Sequence, residues 1–161
     1  MRVDLPSSTP NRPPVTFREA RREDVPAIVA LLADDPIGAK REAPGTEQEY
    51  LTAFEAIDAD PRNELIVVES GGEVVGTMQL TFIPGLSRRG AERLQIEAVR
   101  VAASFRGQGL GRRMMEWAVR RGRERGCRLV QLTSDKKRAD AHRFYTSLGF
   151  VPSHEGFKLN L

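Results

Sequence analysis

The sequence predicts a single-domain α/β fold in which helices flank a mixed sheet, and three observations carry that prediction. Apolar runs with strand character recur at residues 64–70, 73–82, 92–101 and 129–133. Stripes with helical spacing lie between and around them, at residues 24–34, 46–59, 109–126 and 139–148. A chain of 161 residues, 40% hydrophobic and 29% charged, has enough apolar side chains for one core and is too short for two ordinary domains.

Taken in order, residues 1–14 are rich in Pro, Ser, Asn and Arg and read as an unstructured leader, so that the domain proper spans residues 15–161. A first strand is expected at residues 15–18. Asp24 stands at the N-cap position of the next helix, which puts Pro26 in the first turn, where its missing N–H costs little. Val25, Ile28, Val29, Leu31 and Leu32 supply that helix's apolar stripe. Residues 36–45 hold Pro, Gly and mixed charges and read as a loop with the character of a lid. Thr46 and Glu49 form a capping-box pattern for a second helix, which Asp60-Pro61 ends. Residues 64–70 and 73–82 flank Gly71-Gly72 as a hairpin, and residues 84–91, with Arg88 and Arg89, connect to a strand over 92–101. The helix from Gly109 buries Leu110, Met114, Trp117 and Ala118 and exposes Arg112, Arg113, Glu116, Arg120, Arg123 and Glu124; Gly122 weakens it and Gly126 stops it. A strand at 129–133, a helix at 139–148 and closing strands at 150–151 and 157–161 complete the expected order.

The stretch between Val99 and Arg112 carries the functional signal. An apolar strand turns through Arg106-Gly107-Gln108-Gly109-Leu110-Gly111-Arg112 into an arginine-studded helix. Glycines let a ligand approach the backbone, and the free N–H groups of a helix's first turn attract negative charge. A dinucleotide fingerprint counted from Gly107 requires a third glycine where Arg112 stands, and no Gly-Lys-Ser/Thr phosphate loop is present. What stands instead is Arg106-x-x-Gly109-x-Gly111 after a strand, followed downstream by Ala141-x-x-Phe144-Tyr145-x-x-Leu148-Gly149-Phe150.

This pair of motifs, in this order and spacing, resembles the GNAT superfamily of acyl-CoA-dependent N-acyltransferases over residues 64–150. The resemblance implies a mostly antiparallel mixed sheet whose strands 4 and 5 (92–101 and 129–133) splay apart, and acetyl-CoA as co-substrate. It places the coenzyme A pyrophosphate on Arg106, Gly107, Gln108, Gly109, Leu110, Gly111 and Arg112, and the pantetheine arm along the backbone of Val99 and Val101. Similar enzymes use a glutamate on this strand as general base, a role that falls on Glu97, and the motif tyrosine, here Tyr145, as the acid that protonates the departing thiolate. The chemistry requires both, because an alkylamine is mostly protonated at neutral pH and a thiolate leaves best when a proton reaches it. A simple alternation of strand 92–101 puts Glu97, Val99 and Val101 on one side; a structural salt bridge of Glu97 to Arg93 or Arg100 is the competing reading. The oxyanion donor expected here is the N–H of Val99. Many members carry an asparagine seven residues before the tyrosine; this chain has Arg138, which either replaces that contact with a basic group near the phosphates or is a solvated helix start.

Other chemistry is weaker. Cys127, the single cysteine, excludes an internal disulfide, suits a cytoplasmic location and reads as an inert thiol. His142 and His154 have no second ligand at metal spacing, so no metal is expected. No apolar run reaches the roughly 18 residues of a membrane span, and the start lacks a signal-peptide core. The net charge of +3 is mild, Glu116 and Glu124 interrupt the arginine face, and no aromatic platform accompanies it, which argues against a nucleic-acid partner. The expectation is an N-acetyltransferase acting on a primary amine, most simply a small molecule, by direct transfer. A protein amino group, or a non-catalytic acyl-CoA-binding or regulatory module, is the alternative. A homodimer is compatible with this reading, although no interface is legible.

Overall fold

The computed structural model describes residues 3–5, 12–42 and 46–161. Its elements are β1 (Val3–Leu5), β2 (Val15–Glu19), α1 (Val25–Ala33), α2 (Glu47–Ala59), β3 (Asn63–Ser70), β4 (Glu73–Ile83), a single turn α3 (Ser87–Gly90), β5 (Arg93–Val101), α4 (Leu110–Arg125), β6 (Leu129–Leu132) and α5 (Ala139–Ser147). The six strands lie side by side in chain order. Every neighbouring pair is antiparallel except β5 and β6, which run parallel. That makes the sheet mixed and mostly antiparallel, as expected. β5 and β6 pair only as far as Ile96 and Leu132, after which β5 continues to Val101 paired with β4 alone, so β5 and β6 part company beside the glycine loop.

Alternation divides the sheet into two faces. On one, Phe17, Ile66, Val68, Met78, Leu80, Phe82, Leu94 and Ile96 pack against Leu110, Met114, Met115 and Ala118 of α4. Trp117 stacks on Phe17, ring centroids 5.5 Å apart, which makes it a core residue. Gly122 belongs to this contact: a Cβ there would stand 3.1 Å from Leu94, so the glycine lets helix and strand approach rather than merely weakening the helix. The rim of α4 is held by Arg121 on the buried Glu64 (2.5 Å) and Arg125 on Glu92 (2.7 Å). On the opposite face α2 lies over β3 and α1 over β4 and β5, with Val25, Ile28, Phe54 and Val67 as a second core.

Two expectations are corrected. The leader is not wholly unstructured: Val3–Leu5 pairs antiparallel with β2, because the edge of β2 presents backbone donors and acceptors that a three-residue strand satisfies whatever the composition around it. The rest of that leader, residues 1–2 and 6–11, lies outside the described residues, as do residues 43–45 of the expected lid loop. The closing strands at 150–151 and 157–161 do not form; residues 151–161 carry no regular structure and every one is exposed. Their apolar alternation is strand-compatible, but no strand of the described chain lies beside them.

Candidate active site

The site is built where β5 breaks its alternation. Thr77 stands opposite Arg100 and Gln79 opposite Glu97, so Ala98 and Val99 together face the single residue Met78. This is a β-bulge, and Ala98 adopts a left-handed φ of 53° to make it. The simple alternation expected for Glu97, Val99 and Val101 is therefore wrong. With the extra residue inserted, Glu97 and Arg100 share a face with Thr77 and Gln79, whereas Val101, opposite Gly76, returns to the α4 side.

The face that holds Glu97 is polar. Thr81 donates to Asn63 (2.8 Å) and Gln131 to Gln95 (2.6 Å), and these residues surround Gln79 and Glu97 across β3 to β6. Glu97 is exposed on this floor. Among the described residues it has no ion-pair partner, so the salt bridge to Arg93 or Arg100 of the competing reading does not form. Arg100 turns instead to Asp35 at the end of α1, Nε to Oδ2 2.8 Å, with only 16% and 12% of the two side chains exposed. Arg138, at the start of α5, donates to the other oxygen of Asp35 (3.0 Å). The N–H groups of Ile37 and Gly38 donate to that same oxygen. Desolvation works against this carboxylate, but the two N–H bonds and both guanidiniums outweigh it and hold its pKa down to about 2. Asp35 therefore gathers the start of the 36–42 loop, β5 and α5 at one point. Sequence reasoning missed it: its partners lie 65 and 103 positions away, and nothing local distinguishes it from the neighbouring Asp34.

Tyr145 stands on α5 among Phe144 and Phe150, with ring centroids at 5.3 and 6.0 Å. Burial raises its pKa and the charges of Arg138 and Arg100 pull the other way, leaving a phenol that keeps its proton at neutral pH. Such a group can donate a proton but is a poor base.

At the far end of β5 the chain passes through a short turn, Ala103–Phe105, into the glycine loop. Gly107 and Gly109 have φ of 72° and 80°, conformations that favour glycine, and the space around both is open. Gly109 is the N-cap of α4 and offers no side-chain cap. The first-turn N–H groups at Leu110, Gly111 and Arg112 thus have no capping side chain, the condition for accepting an anion. Arg106 bonds the carbonyl of Val101 (3.2 Å) and Asp34 at the end of α1 (3.2 Å to its carboxylate). Exposed Gln108 donates to Ser104 (3.1 Å), and Arg112 reaches Ser147 on α5 (3.3 Å). The structure thus brings Glu97, Val99 and Val101 onto one strand that leads to the 106–112 loop. It sets Tyr145 and Arg138 on the helix beside them, with Arg138 engaged by Asp35 rather than solvated.

The remaining candidates lie elsewhere. Cys127 is half-buried next to Glu92 (3.8 Å), and burial together with that carboxylate raises its pKa, so the thiol stays protonated. His142 and His154 are exposed and contact Asp135 and Ser153.

The chain matches the model of the acetyltransferase (GNAT) family over residues 16–150. It is 31% identical over 145 residues to an aminoalkylphosphonate N-acetyltransferase of Salmonella typhimurium, covering 90% of each chain. It is 34% identical over 90 residues to a glucosamine 6-phosphate N-acetyltransferase of Trypanosoma brucei brucei, a match spanning 56% of this chain and 59% of that one. Among solved structures, one described as a transcriptional regulator from Bacillus halodurans superposes with a TM-score of 0.88 at 48% identity, covering 91% of this chain and 99% of that one.

Proposed function

The chain belongs to the acetyltransferase (GNAT) family and is an N-acetyltransferase; from that premise we propose that it moves an acetyl group from acetyl-CoA directly to the primary amine of a small molecule. The observation that carries the proposal is the bulge at Ala98, which sets Glu97 on an open polar floor while its strand runs on to an uncapped helix start. Open space around Gly107 and Gly109 fits a pyrophosphate against the N–H groups of Leu110 to Arg112, with Arg106 and Arg112 at its edge. The parting of β5 from β6 leaves the backbone of Val99 and Val101 beside the gap for the pantetheine arm.

In this reading acetyl-CoA supplies an activated acetyl carbonyl, and the chain's own groups handle protons and charge. Glu97, directly or through water, takes the proton that the ammonium must lose. The N–H of Val99, in the bulge, faces the negative charge that develops on the carbonyl oxygen. Tyr145 gives its proton to the sulfur as the thioester bond breaks. Arg100 and Arg138, held by Asp35, bring positive charge to bear on Tyr145, which favours the phenolate left after that proton transfer. Both named relatives are described by acceptors that carry an amine and a phosphorus oxyanion, which makes amines of that kind the first class to assay.

The experiment is release of free thiol from acetyl-CoA across amine classes: an aminoalkylphosphonate, glucosamine 6-phosphate, an aminoglycoside, a polyamine and a lysine peptide, with Glu97→Gln as control. Turnover on a small amine that Glu97→Gln loses supports the proposal. Turnover on the peptide alone moves the acceptor to a protein amino group. A second reading, a regulatory acyl-CoA-binding module, is favoured by the description of the 48%-identical structure as a transcriptional regulator; acetyl-CoA binding without transfer to any amine would establish it.

A further inference from the structure

We propose that Arg93 anchors the acceptor: it binds an oxyanion, a phosphate or phosphonate, that the acceptor carries several bonds away from the amine presented to Glu97. The other arginines on the strands of the sheet are paired. Arg18 is held by Asp24 (2.7 Å) and Glu69 (2.8 Å), and Arg100 by Asp35 (2.8 Å). Arg93, half-buried at the start of β5, makes no ion pair among the described residues. A guanidinium stays charged at any physiological pH, so drawing it out of water is costly unless a counter-charge meets it. Its planar fork suits the oxygens of a phosphoryl group.

Arg93 lies in line with Glu97. Between the two the alternation of β5 is unbroken, because the bulge comes after Glu97, at Ala98. Arg93, Gln95 and Glu97 therefore share the polar face, with Leu94 and Ile96 in the core behind them. At the rise of a strand the Cα atoms of Arg93 and Glu97 are roughly 13 Å apart. Uncharged hydrogen-bonding groups fill the floor between them: Gln131 bonds Gln95, and Thr81, opposite Gln95, bonds Asn63. An acceptor laid along β5 thus meets a carboxylate at one end, amides and a hydroxyl in the middle and a guanidinium at the other. That order is complementary to an amine joined to an oxyanion through a polar spacer.

The other cations near β5 are placed differently. Arg100 shares the face but is taken by Asp35. Arg88 and Arg89 stand on the exposed turn α3, with left-handed φ of 55° and 61°. Gly85, in the same connection, lies against Arg93: a Cβ there would stand 3.4 Å from a guanidinium nitrogen. The connection between β4 and β5 thus packs on Arg93 at the far end of the floor. The placement of the amine at Glu97 rests on the function proposed above; the oxyanion site at Arg93 does not.

The test compares matched acceptors, glucosamine 6-phosphate with glucosamine and 3-aminopropylphosphonate with 3-amino-1-propanol. The proteins are the wild type, Arg93→Gln, Arg93→Lys and Arg89→Gln, each verified as folded by circular dichroism. The wild type should prefer the oxyanion-bearing member of at least one pair in kcat/KM. Arg93→Gln should lower kcat/KM for that member about 10–100-fold, the range for a lost hydrogen bond to a charged group, through KM rather than kcat. The preference within the pair then collapses. Arg93→Lys should restore part of it, and Arg89→Gln, which removes the same charge from the exposed turn, should keep it. Isothermal titration of the same two oxyanion compounds into the protein with coenzyme A present reads the site without transfer. Binding that Arg93→Gln weakens, in a protein that acetylates none of these amines, would keep the oxyanion site and overturn the acetyl-transfer reading alone. A wild type with neither the preference nor such binding, an equal loss on both members of a pair, or a preference that survives Arg93→Gln would overturn the proposal.

Discussion

Replacing Glu97 by Gln keeps the size and the exposed position of the side chain and removes only its ability to take a proton. Because Glu97 packs into no core and holds no ion pair among the described residues, the substitution should leave the melting temperature unchanged while turnover falls about 10²–10⁴-fold, the range for a lost general base. Steady-state kinetics beside a thermal melt checks this, and a loss of stability would return Glu97 to a structural role. Asp35 should behave in the opposite way. Its pKa is lowered in the folded state to about 2 from 3.8. The stability it contributes is thus fully present above its unfolded value and is lost as pH falls through the folded one. A shift of that size corresponds to about 2 kcal/mol. Asp35→Asn should therefore melt below the wild type at pH 7, with the gap closing between pH 4 and pH 2. A gap that stays constant over this range would show that the carboxylate is not held by Arg100 and Arg138. Neither guanidinium could have been assigned to Asp35 from sequence, since an ion pair between distant segments leaves no local pattern.

At the scale of elements, β5 shows what a sequence hides. Its apolar alternation marks a strand, and the strand is there, but the register assumes one residue opposite one residue. The bulge violates that assumption at an alanine, a residue that gives no warning of a left-handed φ as glycine would. Hence the strand was legible and the faces of Val99 and Val101 were not. The bulge also carries strain that a β-branched side chain cannot share: Ala98→Val should destabilise the domain by about 2 kcal/mol and lower turnover, as the strand either straightens or loses its bulge. A melt and an assay that both match the wild type would mean the bulge is not needed for activity. The glycine loop was legible for the converse reason, because positive φ at a helix start demands glycine, and glycine is visible in a sequence. The closing strands expected at 150–151 and 157–161 do not form, although the alternation of residues 157–161 is strand-compatible. Periodicity reports which face seeks burial and says nothing about whose core provides it.

On the scale of the whole molecule, the two faces of the sheet divide the labour. The α4 side is closed by Trp117 on Phe17 and the methionines around Leu80, and the opposite side is covered by α2 over β3 and α1 over β4 and β5, leaving Glu97 exposed on a polar stretch beside Gln79. A donor bound at the start of α4 therefore rests on the best-packed element of the protein, and its binding should be felt as global stability. A ligand that binds only the folded state stabilises it by RT ln(1 + [L]/Kd), about 2.7 kcal/mol at a hundredfold excess over Kd. For a domain of this size that raises the melting temperature by roughly 5–10 °C. Acetyl-CoA should give such a shift. Glu97→Gln should retain it, since Glu97 lies away from the helix start. Gly109→Ala should melt about 1–2 kcal/mol lower from the cost of a Cβ at φ 80° and show a smaller shift, because the loop that presents the N–H groups is distorted. A full-sized shift in Gly109→Ala would mean that the donor does not bind through this loop. No shift in any of the three proteins at millimolar acetyl-CoA would refute the donor assignment itself.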